Sequence, residues 1–375
     1  MSNSVYESAG QDVCSTPVAN SVFATSEEAM NNPVDIYVER VNAKVNAKID
    51  ATYKRDGETT PAWTNNEGKY QIKVGSIDVT TYDDENTNAI PTTHTYPVYA
   101  VVQGWQLADA NGKAEVCKQI NTSWYAGELG ISPWTTSDYH RCFWSKSVPF
   151  TSGAQGGANH PVNPTFNDIT QSLSDVFSAE PVYTLPNTPD KLVTNPTTSV
   201  NTLTKLIVAA KLVYKDNDGN YKNAQVCQYR GLTYLGEEAV KKQIVGGFAR
   251  YFKKSGDVYK SIEASDIAFK TVPGSSEVKD YEVVATLADN VGELFVKNGE
   301  TYNPVKKDVV NAALAKEEAQ VRSTEGATYY YTPIKHLGTA GSLGEYGIVR
   351  NHSYQVTIQN IKGFGTPVYD PKKEI

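Results

Sequence analysis

Five histidines, His94, His140, His160, His336 and His352, are the side chains of this 375-residue chain best suited to metal or proton chemistry. None has a second histidine one helical turn away or a local carboxylate at ligand spacing, so no metal site is encoded locally. His336 and His352 could still meet in space if their strands pair, but the expected state there is a buried imidazole bonded to a backbone carbonyl. A serine nucleophile needs a strained G-x-S-x-G turn between strand and helix. The nearest approach is "AGSLG" at 340–344, where Ala340 replaces the first glycine and no helical pattern follows Ser342; it reads as a loop. The glycine clusters at 153–157 and 338–344 lack the Lys-Ser/Thr of a phosphate loop, so no nucleotide cofactor is expected. "DNDGN" at 216–220 begins like a calcium loop, but its glycine comes too early and no acidic residue closes it, which leaves a turn. Nucleophile, base and oxyanion donor cannot be named together, so catalysis is not expected.

Cys14, Cys117, Cys142 and Cys227 include no C-x-x-C pair. A Cys117–Cys142 bridge across an aromatic-rich segment and buried free thiols both remain open. Within that segment Trp124, Tyr125, Trp134, Tyr139, Phe143 and Trp144 crowd a loop-like stretch. They suit either stacking on sugar rings or plugging a loop onto a core. The formal charge of −7, with no basic stripe, gives no attraction to nucleic acid. No apolar run approaches the ~20 residues of a membrane span. The first residues lack the basic and apolar regions of a signal peptide, and no apolar segment precedes Cys14.

The elements that would hold these residues are mainly β, because Tyr, Thr and Val abound and Pro, Gly and Asn punctuate at short intervals. Val41, Ala43, Val45, Ala47 and Ile49 alternate with polar residues, a strand with one dry face and one wet face. Val34, Ile36 and Val38 alternate in the opposite phase, so Glu39 and Arg40 mark a bulge or a crossing between sheets. Residues 71–80 and 96–107 read as strands around an acidic loop, 113–200 as long excursions, and Asp218-Gly219 as a hairpin turn. Val240, Ile244, Phe248 and Phe252 recur every fourth residue, a short helix weakened by Gly246 and Gly247. A second helix is expected from Pro304 to Ser323, and residues 1–33 are expected to be irregular. Length favours two domains, drawn at 1–112 and 113–375.

Two blocks carry a resemblance. "TYYYTPIKHLG" at 328–338 with "YGIVRNHSYQVTIQNIKGFGTPVYDP" at 346–371 resembles the C-terminal block of the fimbrillins, the type V pilins of Bacteroidales, and most resembles the major subunit of the short fimbriae. "NNPVDIYVERVNAKV" at 31–45 is similar to a strand of the same subunits, with weaker echoes at "GWQLAD" and "HRCFWSKS". The resemblance implies two transthyretin-like β-sandwich domains with one or two short helices, the first domain lacking its early strands. It implies a non-enzymatic subunit of cell-surface fimbriae, exported as a lipoprotein and anchored at the outer membrane. In such pilins an arginine-specific protease removes a strand, and a strand from the neighbouring subunit fills the groove. Tyr37, Glu39, Arg40, Arg350, Asn351, His352, Gly363, Gly365 and Pro367 would then be architectural. The partners are other fimbrial subunits in a head-to-tail polymer, and the chain, expected to be trimmed of its processed and donor strands, is not expected to polymerise alone. The alternative is a fimbrial tip or lectin-like adhesin that binds glycan or protein through Trp124, Tyr125, Trp134 and Trp144.

Overall fold

The computed structural model describes residues 2–3, 7–8, 11–12, 22–33, 38–81, 92–115, 145–150, 159–189, 193, 203–272, 282–323, 325–336 and 339–375. The expectations at Tyr37, in the acidic loop, and at Cys14, Cys117, Trp124, Tyr125, Trp134, Cys142 and Trp144 lie outside the described residues.

Ten strands build the principal sandwich: β1 Ala43–Ile49, β2 Trp63–Asn66, β3 Lys69–Thr81, β4 Thr92–Ala108, β5 Val182–Thr184, β6 Lys205–Lys215, β7 Tyr221–Asn223, β8 Ala327–Pro333, β9 Ser353–Ile358 and β10 Thr366–Pro367. The larger sheet runs β10-β8-β6-β4-β3-β2, with β7 also on β6. The smaller sheet runs β5-β1-β9, and β9 lies parallel to β1 in an otherwise antiparallel frame.

The alternation in β1 dictates its place. Ala43, Val45, Ala47 and Ile49 are all at most 1% exposed and pack against Ile72, Val98, Ala100, Leu206 and Val208 of the larger sheet. Burying each branched side chain contributes about 1.5–3 kcal/mol. The other face is less wet than the alternation suggests. Asn46 is buried, its amide donating to the Ser178 carbonyl at 2.6 Å, because the chain before β5 covers a central strand. In β6 the near-continuous run Leu206–Leu212 has no wet face at all, as expected of a strand buried on both sides. Leu206, Val208, Ala210 and Leu212 join the inter-sheet core, while Ile207 and Ala209 meet Phe166, Ile169 and Val368 in a second cluster behind the sheet.

The division at residue 112 cuts the larger sheet, since β4 and β6 pair from Lys205 with Ala108 to Tyr214 with Val98. A separate apolar cluster gathers residues 227–319 instead. Its strands form one sheet from Leu232–Leu235, Val226–Tyr229, Glu318–Ser323, Glu282–Leu287 and Ile267–Thr271, and another from Val258–Ser261, Tyr251–Ser255, Leu294–Asn298 and Thr301–Val305. This unit sits in sequence between β7 and β8, strands that both pair with β6.

Three short helices occur among the described residues: α1 Ser26–Asn31, α2 Glu237–Gly246 and α3 Lys307–Leu314. α1 falls where irregular chain was expected. Its Thr25 hydroxyl accepts the Glu28 N–H at 3.2 Å and the Glu28 carboxylate accepts the Ala24 N–H at 3.1 Å, a reciprocal cap readable as T-x-x-E. α2 buries Val240 and Ile244 as expected but stops at Gly246, and Phe252 belongs to a strand. The helix expected over 304–323 shrinks to α3. Pro304 lies in a strand, and Glu318–Ser323 pairs on both sides inside a sheet, where tertiary pairing overrides helix propensity. At 216–220 the chain makes the expected turn, with Gly219 at φ +85° and the Asn220 N–H donating to the Asp216 carboxylate at 2.8 Å.

Candidate functional site

The blocks that begin and end the frame meet as the parallel pair β1–β9. The junction is fastened by polar groups. Asn351 sits at φ +62°, a left-handed conformation that asparagine tolerates better than most residues. Its N–H donates to the Asn42 carbonyl at 3.0 Å, and its side-chain oxygen accepts the Arg40 N–H at 3.4 Å. The Lys44 N–H donates to the His352 carbonyl at 2.9 Å. Arg350 is 3% exposed and donates from Nη2 to the Glu115 carbonyl at 2.8 Å. Glu39 enters a two-residue pairing with Ser2 through its main chain.

His336 and His352 do approach, with ring centroids 5.2 Å apart. His352 Nδ1 donates to the Arg350 carbonyl at 3.0 Å, the backbone partner expected for one of these imidazoles. His336 Nδ1 instead meets the Tyr354 hydroxyl at 2.9 Å, and that hydroxyl accepts the Val349 N–H at 2.8 Å. Burial, aided by the neighbouring His352, pushes the His336 imidazole down to a pKa of about 3. It is therefore neutral at physiological pH.

After β9 the chain crosses to the larger sheet. Gly363 and Gly365 have φ of +69° and +70°. A side chain on Gly365 would lie 2.5 Å from Thr328 Oγ1 and 2.7 Å from the Tyr329 carbonyl, whereas Gly363 faces open space. Between them the Phe364 ring packs so close to Gly75 that a Cβ there would sit 2.5 Å from it. The fully buried Thr328 uses its hydroxyl toward the Phe364 carbonyl at 2.7 Å and the Thr366 carbonyl at 2.9 Å. Pro367 is buried in β10, opposite Thr328. The tail thus covers the first half of the β8 edge, and Pro333 at the far end has no N–H to offer.

The edge of β9 is different. His352 and Ile358 turn their carbonyls to the N–H groups of Lys44 in β1 and of Asp50 just after it, at 2.9 Å and 3.0 Å. Main-chain direction alternates along a strand, so Tyr354, Val356 and Ile358 face β1 while Ser353, Gln355 and Thr357 turn their N–H and C=O groups away. Among the described residues no strand pairs with that outer side. The side chains of Ser353, Gln355 and Thr357 are exposed, and Val356 and Ile358 are only partly buried against the core.

Residues 323–374 match the family model of the major fimbrial subunit protein type IV, fimbrillin, C-terminal. The matched stretch contains β8, β9, the crossing and β10, so the open edge, the histidine pair and the covered edge all lie within it. The family so described is one of fimbrial subunits. Comparison with curated proteins and with solved structures finds no match. Among the described residues no helix is long and apolar enough to cross a membrane.

Arg350, Asn351 and His352 stood out in the sequence, but Tyr354, which joins Val349 to His336, and Thr328, which holds the Phe364 and Thr366 carbonyls, did not. Nor did a buried ion pair. Lys205 Nζ lies 2.5 Å from Asp109 Oδ2, with both side chains nearly shut off from water. The Asp109 carbonyl accepts the Thr204 hydroxyl at 3.1 Å, and its N–H donates to Asn163 at 2.8 Å. Lysine heading an apolar run was the available signal for a buried partner.

Proposed function

We propose that this chain is a structural subunit of fimbriae anchored at the outer membrane, joined to its neighbours by strand exchange and serving adhesion. The observation that carries the proposal is the outer side of β9, where Ser353, Gln355 and Thr357 offer three N–H and three C=O groups that no described strand takes up. An added strand would satisfy those groups while its alternate side chains extend the apolar surface of Val356 and Ile358. Each such joint is head-to-tail, so growth continues instead of closing. Under this reading Tyr37, Glu39, Arg40, Arg350, Asn351 and His352 are architectural, and Gly363, Gly365 and Pro367 steer the tail to the other sheet. The two working units are the frame, 43–224 with 327–375, and the inserted unit, 226–323.

A photo-crosslinking residue, benzoylphenylalanine, at position 355 in cells that display the fimbriae tests this. A ladder of adducts containing other fimbrial subunits is expected, and a Gln355→Pro chain should be missing from the fimbriae. Incorporation of Gln355→Pro at the wild-type level, with no adducts from position 355, would overturn the strand-exchange reading.

A further inference from the structure

The inserted unit carries a cleft of about 690 Å³ at one end of its second sheet. It opens where the strands Leu294–Asn298 and Thr301–Val305 cease to pair. Their ladder runs from Asn298 opposite Thr301 to Leu294 opposite Val305, so Glu293 and Lys306 come next in register. Opposite charges at facing positions attract. Yet the chain arrives from a turn at 289–290 and leaves into α3, and the two lips of the cleft part without pairing. Glu293, Lys306 and Lys307 are all exposed, and among the described residues none of the three makes an ion pair or a side-chain hydrogen bond.

Between the lips lies an apolar bed of Leu294, Phe295, Pro304 and Val305. Leu294 and Val305 come from the inner face of the sheet, which packs into the unit's own core. Phe295 and Pro304 face each other on the outer side. There the Phe295 ring meets Tyr259 edge to face at 4.9 Å, and Tyr259 stacks on Tyr302 at 4.1 Å, so aromatic surface continues away from the cleft. An apolar bed with a few charged groups at its rim is the usual make-up of a small-ligand site. The rim selects the occupant. Two lysines against one glutamate favour an anion, and the Glu293 carboxylate only accepts, so it calls for hydroxyl or N–H donors. A hexuronate brings a carboxylate, several hydroxyls and an apolar C–H face on one ring. An acidic peptide would also seek main-chain partners, and Pro304 has no N–H to give.

We propose that this cleft binds acidic saccharides: Lys306 and Lys307 hold the carboxylate of a hexuronate, Glu293 accepts its hydroxyls, and Phe295 with Pro304 takes the apolar face of the ring. The site shares no residue with β9 and needs no second subunit, so it stands or falls apart from strand exchange.

Titration of the isotope-labelled isolated chain with trigalacturonate, followed by amide chemical shifts, tests the site. Saturable shifts are expected at Gly292, Glu293, Val305, Lys306 and Lys307, with a Kd of about 1 mM or tighter, while the β9 amides stay in place. Both lysines are exposed, so the double variant Lys306→Gln, Lys307→Gln should fold normally, which unchanged shifts at Val208 and Ala209 would verify. Its affinity should fall about tenfold or more. The neutral trisaccharide galactotriose should bind at least about tenfold more weakly than trigalacturonate. Absence of saturable shifts in the cleft up to about 20 mM trigalacturonate overturns the proposal, as does unchanged affinity in the double variant or equal affinity for galactotriose. A triglutamate peptide gives the remaining control: shifts of the same amides at equal or higher affinity would assign the cleft to acidic peptides and overturn the saccharide reading.

Discussion

Two edges of one frame are treated in opposite ways. The β8 edge is closed by its own chain, which returns through Gly363 and Gly365 to lay β10 against Thr328 and Tyr329. The β9 edge, only a few residues upstream of that return, pairs with no strand on its outer side among the described residues. An uncovered edge is a liability that folds normally suppress with proline, charge or a covering segment. Here proline and a covering segment both appear at β8, while the outward positions of β9 are the small or neutral Ser353, Gln355 and Thr357. Among the described residues, then, the chain covers its β8 edge and leaves the outer side of β9 without a partner strand, which is the edge the strand-exchange proposal uses.

The largest effect should come from breaking the closed side. Lys205→Met leaves the Asp109 carboxylate buried without its cation and should lower stability by about 3–5 kcal/mol, measured by chemical denaturation. The crossing comes next. Gly365→Ala forces a Cβ into Thr328 and the Tyr329 carbonyl at positive φ and should cost about 2–3 kcal/mol, whereas Gly363→Ala meets only the backbone term, about 1 kcal/mol. A smaller ratio between the two would mean that the tail does not seal the edge by close fit.

Acid should weaken the root of β9. His336 has its folded pKa depressed to about 3, below the 6.5 of the free side chain. The unfolded chain therefore binds the proton first. Stability is full above pH 6.5 and falls at roughly 1 kcal/mol per pH unit as the pH drops from there toward 3. Asp50, Asp78, Asp168 and Glu345 are held below the usual carboxylate range, by hydrogen bonds from Thr52, Thr95, Thr165 and the Gly341 N–H respectively. The stability they add is lost only at lower pH, so melting temperatures between pH 6.5 and 4.5 isolate the histidine, and His336→Asn should flatten that slope. The smallest effect belongs to the open edge. Gln355→Pro removes an N–H that points away from β1 and should change the stability of the isolated chain by less than about 1 kcal/mol, whereas Val356→Pro removes an inward one and should cost about 3 kcal/mol or more.

Much of this frame was legible in the sequence. The alternation of Ala43 to Ile49, the long apolar run of β6, the Asp218-Gly219 turn and the final strand from Ser353 all encode their burial in side-chain period. What could not be read was long-range. Nothing in the local pattern around Pro304 or Glu318 announces that these residues pair in sheets instead of extending α3. The placing of an inserted unit between β7 and β8 leaves no periodic trace either, which is why a boundary at residue 112 looked natural. At the candidate site, Asn351 and the glycines stood out because they are unusual for a strand-forming block. Tyr354 falls in an alternation with polar residues from Ser353 to Gln359 that marks it only as an inward position of a strand. Its hydroxyl matters only because Val349 and His336 converge on it, and convergence across 18 residues of chain is a property of the fold.

Strand exchange at β9 requires that the outward groups of Ser353, Gln355 and Thr357 be open in the isolated chain. Residue-resolved amide exchange at neutral pH tests it most directly. Alternation is expected, with Tyr354, Val356 and Ile358 slow and Ser353, Gln355 and Thr357 faster by about 100-fold or more. Uniform slow exchange across all six amides would contradict it.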